Sequence, residues 1–324
     1  MQAIIFTEYG SPDVLQLVEV DKPMPKDNEV LVKVHAASAN PLDWHRMRGE
    51  PFIARLSQGY RKPTDPKIGA DVAGRVEAVG RNVTEFQPGD AVFGDMFAGS
   101  FAEYACVPES ELALKPSNLT FEEAAATPIV GFTAIQGLRD AGHIQAGEKV
   151  LVNGASGGVG TFAVQYAKSV GAEVTGVCST RNLDMVRSMG ADHVIDYTQE
   201  DFTRNGQQYD LIFDAVGNYS ISDFKRALTS NGRAVVAGFT RLSLLFQVMI
   251  LGKLVSKLGN QTVGMMKTAY SNKKDLNIIK ELLEAKKVVP VIDRCYPLNE
   301  TAEAIRYLEH GHAQGKVIIV VEQR

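Results

Sequence analysis

The chain has little cysteine, no excess of basic charge and no apolar run long enough to cross a bilayer. Its three cysteines, Cys106, Cys178 and Cys295, lie far apart among 324 residues. They form neither a disulfide framework nor a paired metal knuckle, and they fit a reducing, cytoplasmic compartment. Basic side chains number 34 against 38 acidic ones, for a net charge of −4. That balance argues against a nucleic-acid partner. The segment Met1-Gln2-Ala3-Ile4-Ile5-Phe6 enters a strand directly, with no basic stretch followed by a long apolar one, so a signal peptide is not expected. The most apolar stretch, 242–251, is too short to span a membrane, which takes about 18 apolar residues. Within it Leu242, Leu245, Phe246 and Met249 recur at helical spacing. This reads as a helix packed on its own core. The alternatives are a subunit contact, a wall of a substrate pocket, or a peripheral membrane contact over 242–257.

What remains is ordinary globular material. Hydrophobic residues make up 45% and charged residues 22%, enough for about two domains at this length. Residues 1–120 are rich in short strands separated by turn signals such as Tyr9-Gly10-Ser11-Pro12 and Gln87-Pro88-Gly89-Asp90. They read as a barrel-like half. Over 121–285 strand and helix patterns alternate, as in a doubly wound parallel sheet. A helix over 300–309 and a strand over 316–321 follow.

The central signal is Asn153-Gly154-Ala155-Ser156-Gly157-Gly158-Val159-Gly160, between the apolar strand Lys149-Val150-Leu151-Val152 and a helical run from Thr161. A turn of small residues lets the backbone approach a pyrophosphate, and the helix start offers unpaired N–H groups to it. Ala155, Gly157 and Gly160 occupy the three fingerprint positions, with Ala in place of the first Gly. Cofactor choice is written about 20 residues on, where an acid would bind the ribose 2′-OH of NAD. Here stand Cys178-Ser179-Thr180-Arg181-Asn182, with no acid. Two hydroxyls and an Arg suit a 2′-phosphate, which points to NADPH. Arg181 also fits an exposed place in a first helical turn.

The chain resembles the medium-chain dehydrogenase/reductase superfamily, in its zinc-free quinone oxidoreductase-like branch, which includes zeta-crystallin and alkenal/oxoene reductases. The resemblance runs through Ser38-Ala39-Asn40-Pro41-Leu42-Asp43-Trp44, Gly69-Ala70-Asp71-Val72-Ala73-Gly74, Gly89-Asp90-Ala91-Val92-Phe93-Gly94, Gly131-Phe132-Thr133-Ala134, the fingerprint and Gly315-Lys316-Val317. It implies an α/β protein. A chaperonin-10-like β-barrel catalytic domain (1–120, completed by 286–324) joins a doubly wound parallel-sheet Rossmann domain (121–285), with the active site in the cleft between them. Relatives pair the edge strands of their nucleotide domains, which implies a homodimer. By analogy the cofactor is held by Ala155, Ser156, Gly157, Gly158, Val159 and Gly160 at the pyrophosphate. Ser179, Thr180, Arg181 and Tyr197 lie at the 2′-phosphate, and Val216, Gly217, Gly238 and Phe239 at the carboxyl ends of the fourth and fifth strands. Thr127 and Thr133 stand near the nicotinamide. Tyr197 also fits an ordinary turn, and the two threonines also fit helix-capping hydroxyls.

Departures from the zinc branch bear on the chemistry. Zinc alcohol dehydrogenases place Cys, His and Cys where this chain has Asn40, Ala70 and Val130, and the four-cysteine structural lobe is missing. Ala and Val cannot ligate a metal, and Asn is a poor zinc ligand. Zinc lowers the pKa of bound water by about 9 units, on the order of 12 kcal/mol of anion stabilisation. Hydrogen bonds would struggle to match that for an alkoxide. An enolate formed by hydride addition to a conjugated acceptor asks for less. Asn40, Asp43 and His45 are the candidates for this role. Asn40 offers an amide donor at the vacated position, and a His at 45 is suited to donate to the oxyanion or relay a proton. Asp43, Trp44 and His45 also fit a purely packing and capping role. The expected activity is NADPH-dependent reduction of an α,β-unsaturated carbonyl, a small electrophilic molecule. A quinone reductase and a low-turnover NADPH-binding protein are the alternatives.

Overall fold

The computed structural model describes residues 1–321, without the side chains of 53, 242, 245 and 253–258. It divides into two compact units. Of the described residues, one comprises 1–129, 271–285 and 290–321; the other comprises 130–270 and 286–289.

The first unit is built around the strand Glu29–Ala39, whose sequence EVLVKVHAASA is buried along most of its length. One edge pairs with Asp71–Val79 over nearly the whole strand. The other edge changes partner midway. Tyr104–Pro108 pairs with residues 29–33, and Lys316–Val320 with residues 36–39. Switching partners along one edge curls the seven-stranded sheet into a barrel-like form. Val30, Val32, Val34, Val72, Val76 and Val92 fill its interior. A second cluster, with Phe6, Met47, Ile68, Phe101, Ile305 and Val317, packs beneath the helices Pro41–Arg48 and Thr301–Glu309.

The second unit is a six-stranded parallel sheet. Its strand order is His193–Asp196, Glu173–Cys178, Lys149–Asn153, Tyr209–Asp214, Leu228–Val236, Thr262–Met265. In chain order this is 3-2-1-4-5-6, so the winding direction reverses between Lys149–Asn153 and Tyr209–Asp214. Ligands bind at the carboxyl ends of strands beside such a reversal. Val150, Leu151, Val152, Leu211, Ile212 and Phe213 are fully buried, as strands covered on both faces must be.

The α/β class and the barrel-plus-doubly-wound plan agree with expectation, but the seams differ. The helix Phe121–Ala125 packs on the strands Glu29–Ala39 and Asp71–Val79, and Lys273–Glu284 packs on Leu112–Leu114. Asn118 donates to the Leu283 carbonyl at 3.1 Å and the Lys273 ammonium to that of Leu112 at 2.6 Å. Strand–helix alternation tells what an element is, not which sheet receives its apolar face. The segment begun by Leu242 extends as a helix to Leu258 and packs on Thr262–Met265. Val248 is buried, while Phe246, Met249 and Ile250 are more than half exposed. The side chains of Leu242 and Leu245 fall outside the described ones. Among the described residues no helix is long and apolar enough to cross a membrane.

Candidate active site

The fingerprint turn leads into the helix Gly158–Val170, whose N-cap is Gly157. The first-turn N–H groups have no partner within a helix, and Gly157 brings no side chain to cap them. A β-carbon on Gly160 would lie 2.0 Å from the Gly154 carbonyl oxygen, so the tight turn requires glycine there. Ala155 stands where a glycine is usual. Its methyl fits because residue 176 on the neighbouring strand is glycine; a β-carbon there would come within 3.1 Å of the Ala155 β-carbon. The loops after the fourth and fifth strands are stitched together. Thr240 donates to the Gly217 carbonyl through its N–H at 3.2 Å and its hydroxyl at 3.1 Å. A β-carbon on Gly217 would strike the Gly238 carbonyl at 2.1 Å. Asp214 fixes the first of these loops, accepting from Asn153 Nδ2 and from the N–H groups of Val216 and Gly217 at 2.8–3.0 Å. Burial pushes its carboxyl pKa up, against the lowering effect of those bonds. Its second oxygen is buried without a hydrogen-bond partner. The fingerprint, Val216, Gly217, Gly238 and Phe239 therefore gather at the carboxyl ends of adjacent strands, and the cradle fits a dinucleotide.

Ser179 caps the short turn Thr180–Asn182, and Arg181 is exposed. Tyr197 is 55% exposed, and its N–H donates to the Cys178 carbonyl at 3.1 Å. Thr180 departs from expectation. Its hydroxyl donates to Asp196 at 2.5 Å. Asp196 ends the third strand in register with Cys178, so an acid does stand at this corner. Reading only the end of the second strand missed it, because parallel neighbours bring residues about 20 apart in sequence side by side.

The barrel unit carries Asn40, Asp43, His45 and Thr127. Asn40 is 1% exposed. Its amide hydrogens go to the Ser38 carbonyl at 3.1 Å and the Asp71 carboxylate at 2.9 Å, and its oxygen accepts from the Lys316 ammonium at 2.6 Å. The amide is fully engaged, so it is not the open oxyanion donor that its position led one to expect. Asp43 is equally buried and accepts the N–H groups of Asn40 at 2.8 Å and Gly69 at 3.1 Å. Desolvation pushes its carboxyl pKa up to about 7. It locks the start of the helix Pro41–Arg48, which is a positioning role. His45, on that helix, is half-buried and stacks on Trp44 with ring centroids 3.6 Å apart. Desolvation lowers its pKa below the ordinary imidazole value, so it is neutral near pH 7. The Thr127 hydroxyl donates to the Ala124 carbonyl at 2.9 Å. Thr133 lies half-buried in the helix Pro128–Ile135, in the part that belongs to the other unit.

Asp71 and Lys316 were not singled out from the sequence. Asp71 is fully buried, with bonds from Ser38 at 2.5 Å, Asn40, Lys316 at 3.2 Å and the Ile129 N–H at 2.9 Å. The available signal was a charged residue at the head of each of two apolar runs. This network also bears on metal binding: Asn40 is committed to it, and Ala70 and Val130 offer no donor, so these positions do not fit zinc. Among the described residues no cluster of three His, Cys, Asp or Glu side chains is placed to hold a metal.

Comparison with known proteins agrees with this architecture. The family described as "Alcohol dehydrogenase GroES-like domain" matches residues 26–117, and "Zinc-binding dehydrogenase" matches 189–319. The chain is 38% identical to the 2-methylene-furan-3-one reductase of Solanum lycopersicum, over 98% of this chain and 79% of that one. It is 36% identical to the NADPH-dependent alkenal/one oxidoreductase of Arabidopsis thaliana, with the same coverage. The solved quinone oxidoreductase of Coxiella burnetii superposes with a TM-score of 0.87 at 30% identity, over 99% of both chains.

The buried network yields a stability test. Lys316→Met should cost about 3–5 kcal/mol in denaturant unfolding, because it strands the Asp71 carboxylate. Adding Asp71→Asn should restore much of the loss. A single-variant loss under about 1 kcal/mol would show that the ion pair contributes little.

Proposed function

Because the chain belongs to the medium-chain dehydrogenase/reductase superfamily, we propose that it is an NADPH-dependent reductase of the C=C bond in α,β-unsaturated carbonyls. The carrying observation is that Asn40, where the resemblance implies a zinc ligand, is committed to Asp71 and Lys316, which favours an acceptor whose charge is already delocalised. Relatives named for furanone and alkenal/one reduction support the same reading. NADPH, when bound, supplies a hydride to the acceptor. The chain's residues bind and orient around it. The Ala155–Gly160 turn would hold the pyrophosphate, and Ser179 and Arg181 would hold the 2′-phosphate. Val216, Gly217, Gly238 and Phe239 would border the nicotinamide, with Thr133 of the same unit toward its amide. His45 serves the developing oxygen charge as a neutral imidazole donor. Asn40 and Asp43 hold the helix that carries it. A quinone is the second acceptor reading, favoured by the likeness to the Coxiella enzyme.

We further propose a homodimer in the cytoplasm. The strand Thr262–Met265 lies at the edge of the parallel sheet, which leaves a ladder open to a second copy. Sedimentation at micromolar concentration should give twice the chain mass; monomer alone would refute the dimer.

The acceptor is tested by NADPH oxidation with an enone, a quinone and no acceptor. Saturated ketone from the enone supports the first reading, turnover of quinone alone supports the second, and no turnover leaves a binding protein. NADPH should bind at least about tenfold tighter than NADH, and Arg181→Ala should remove most of that preference. Equal binding by the wild type would refute the reading of residues 179–181. His45→Ala should lower kcat by about 10²-fold while changing the NADPH Kd less than about threefold. The kcat profile should show an inflection below the ordinary imidazole pKa, where His45 protonates, and that inflection should vanish in the variant. An unchanged kcat would return His45 to a packing role.

A further inference from the structure

The corner that receives the adenosine end carries a charge that sequence order hides. Asp196 is the last residue of the strand His193–Asp196, opposite Cys178 on its parallel neighbour. Its carboxylate therefore stands beside the 179–181 loop. One oxygen accepts the Thr180 hydroxyl at 2.5 Å; the other accepts the Thr198 N–H at 3.0 Å and hydroxyl at 2.8 Å. These bonds, that of Thr180 foremost, hold its pKa below the usual carboxylate range, so it is ionised near neutral pH.

A threonine hydroxyl has one hydrogen to donate. Spent on Asp196, it is not offered to a phosphate, and Thr180 presents lone pairs instead. Ser179 differs: its oxygen accepts from Asn182 Nδ2 at 3.3 Å, a bond that does not use its own hydrogen. The corner thus holds a donor and a cation, Ser179 and Arg181, that favour an anion, and a carboxylate that disfavours one. A 2′-phosphate carries about −1.5 to −2 charges at neutral pH. A ribose hydroxyl is uncharged and is a good partner for a carboxylate.

We propose that Asp196 is a cofactor-specificity residue: its carboxylate withdraws the Thr180 hydroxyl and opposes the 2′-phosphate. Discrimination of NADPH from NADH is thereby weaker than Ser179 and Arg181 alone would set. This rests on the reading of 179–181 as the 2′-phosphate end of the cofactor site.

The test is Asp196→Asn, which keeps an oxygen for the Thr198 N–H and so preserves the turn. Dissociation constants are measured for NADPH and NADH by fluorescence titration, and for adenosine 2′,5′-bisphosphate and 5′-AMP by calorimetry. In the variant the NADPH-over-NADH preference should rise at least about threefold, chiefly through tighter NADPH, because a nearby like charge is removed. The bisphosphate-over-AMP ratio should rise in parallel. A ratio unchanged or lowered in both pairs overturns the proposal. Arg181→Ala, measured alongside, separates the two claims. If it leaves the preference intact, the 2′-phosphate reading itself fails. If it collapses the preference while Asp196→Asn does not raise it, only the role of Asp196 fails.

Discussion

The contact on which the barrel unit depends is the one between the Lys316 ammonium and the Asp71 carboxylate. Asp71 also collects the Ser38 hydroxyl, the Asn40 amide and the Ile129 N–H. One carboxylate thus ties together the central strand, the N-cap of the helix Pro41–Arg48, the strand Lys316–Val320 and the backbone of Ile129, all within the barrel unit. A buried charge is costly unless paired and hydrogen-bonded, and here every bond closes a gap between segments distant in sequence. The consequence passes outward. Asn40, oriented by Lys316 and Asp71, caps the helix together with Asp43, and that helix carries His45. The Lys316 ammonium and the Asp71 carboxylate together commit the Asn40 amide, and Ala70 beside them offers no donor to a metal.

The nucleotide unit obeys a different constraint, close approach of backbone to backbone. Gly160 against Gly154, Ala155 against Gly176 and Gly217 against Gly238 each leave no room for a larger group. These contacts bring three loops to the carboxyl ends of neighbouring strands, where N–H groups and a helix start can meet an anion. The turn is therefore specified by what is absent from its side chains. At the corner proposed for the adenosine end, Arg181 and the ionised Asp196 carry opposite charges.

Much of this was legible in the sequence where chemistry and local pattern coincide. The strand–turn–helix of residues 149–170 announces itself by an apolar run, a cluster of small residues and helical composition. The losses at 40, 70 and 130 are visible as residue types. What stayed hidden depends on partners brought together by the sheet. Asn40 reads as an open amide until Lys316, 276 residues away, is seen to bond it. Thr180 reads as a phosphate donor until Asp196 arrives from the adjacent strand. The helices Phe121–Ala125 and Lys273–Glu284 are plain as helices, but the sheet that receives them is not.

The most direct measurement follows the hydride. With NADPH deuterated at carbon 4 and an enone in water, deuterium should appear on the β-carbon of a saturated ketone, with the α-proton drawn from solvent. Deuterium on the carbonyl carbon, with an alcohol as product, would contradict it. The anion stabilised would then be an alkoxide, for which Asn40, Ala70 and Val130 offer no zinc ligand set.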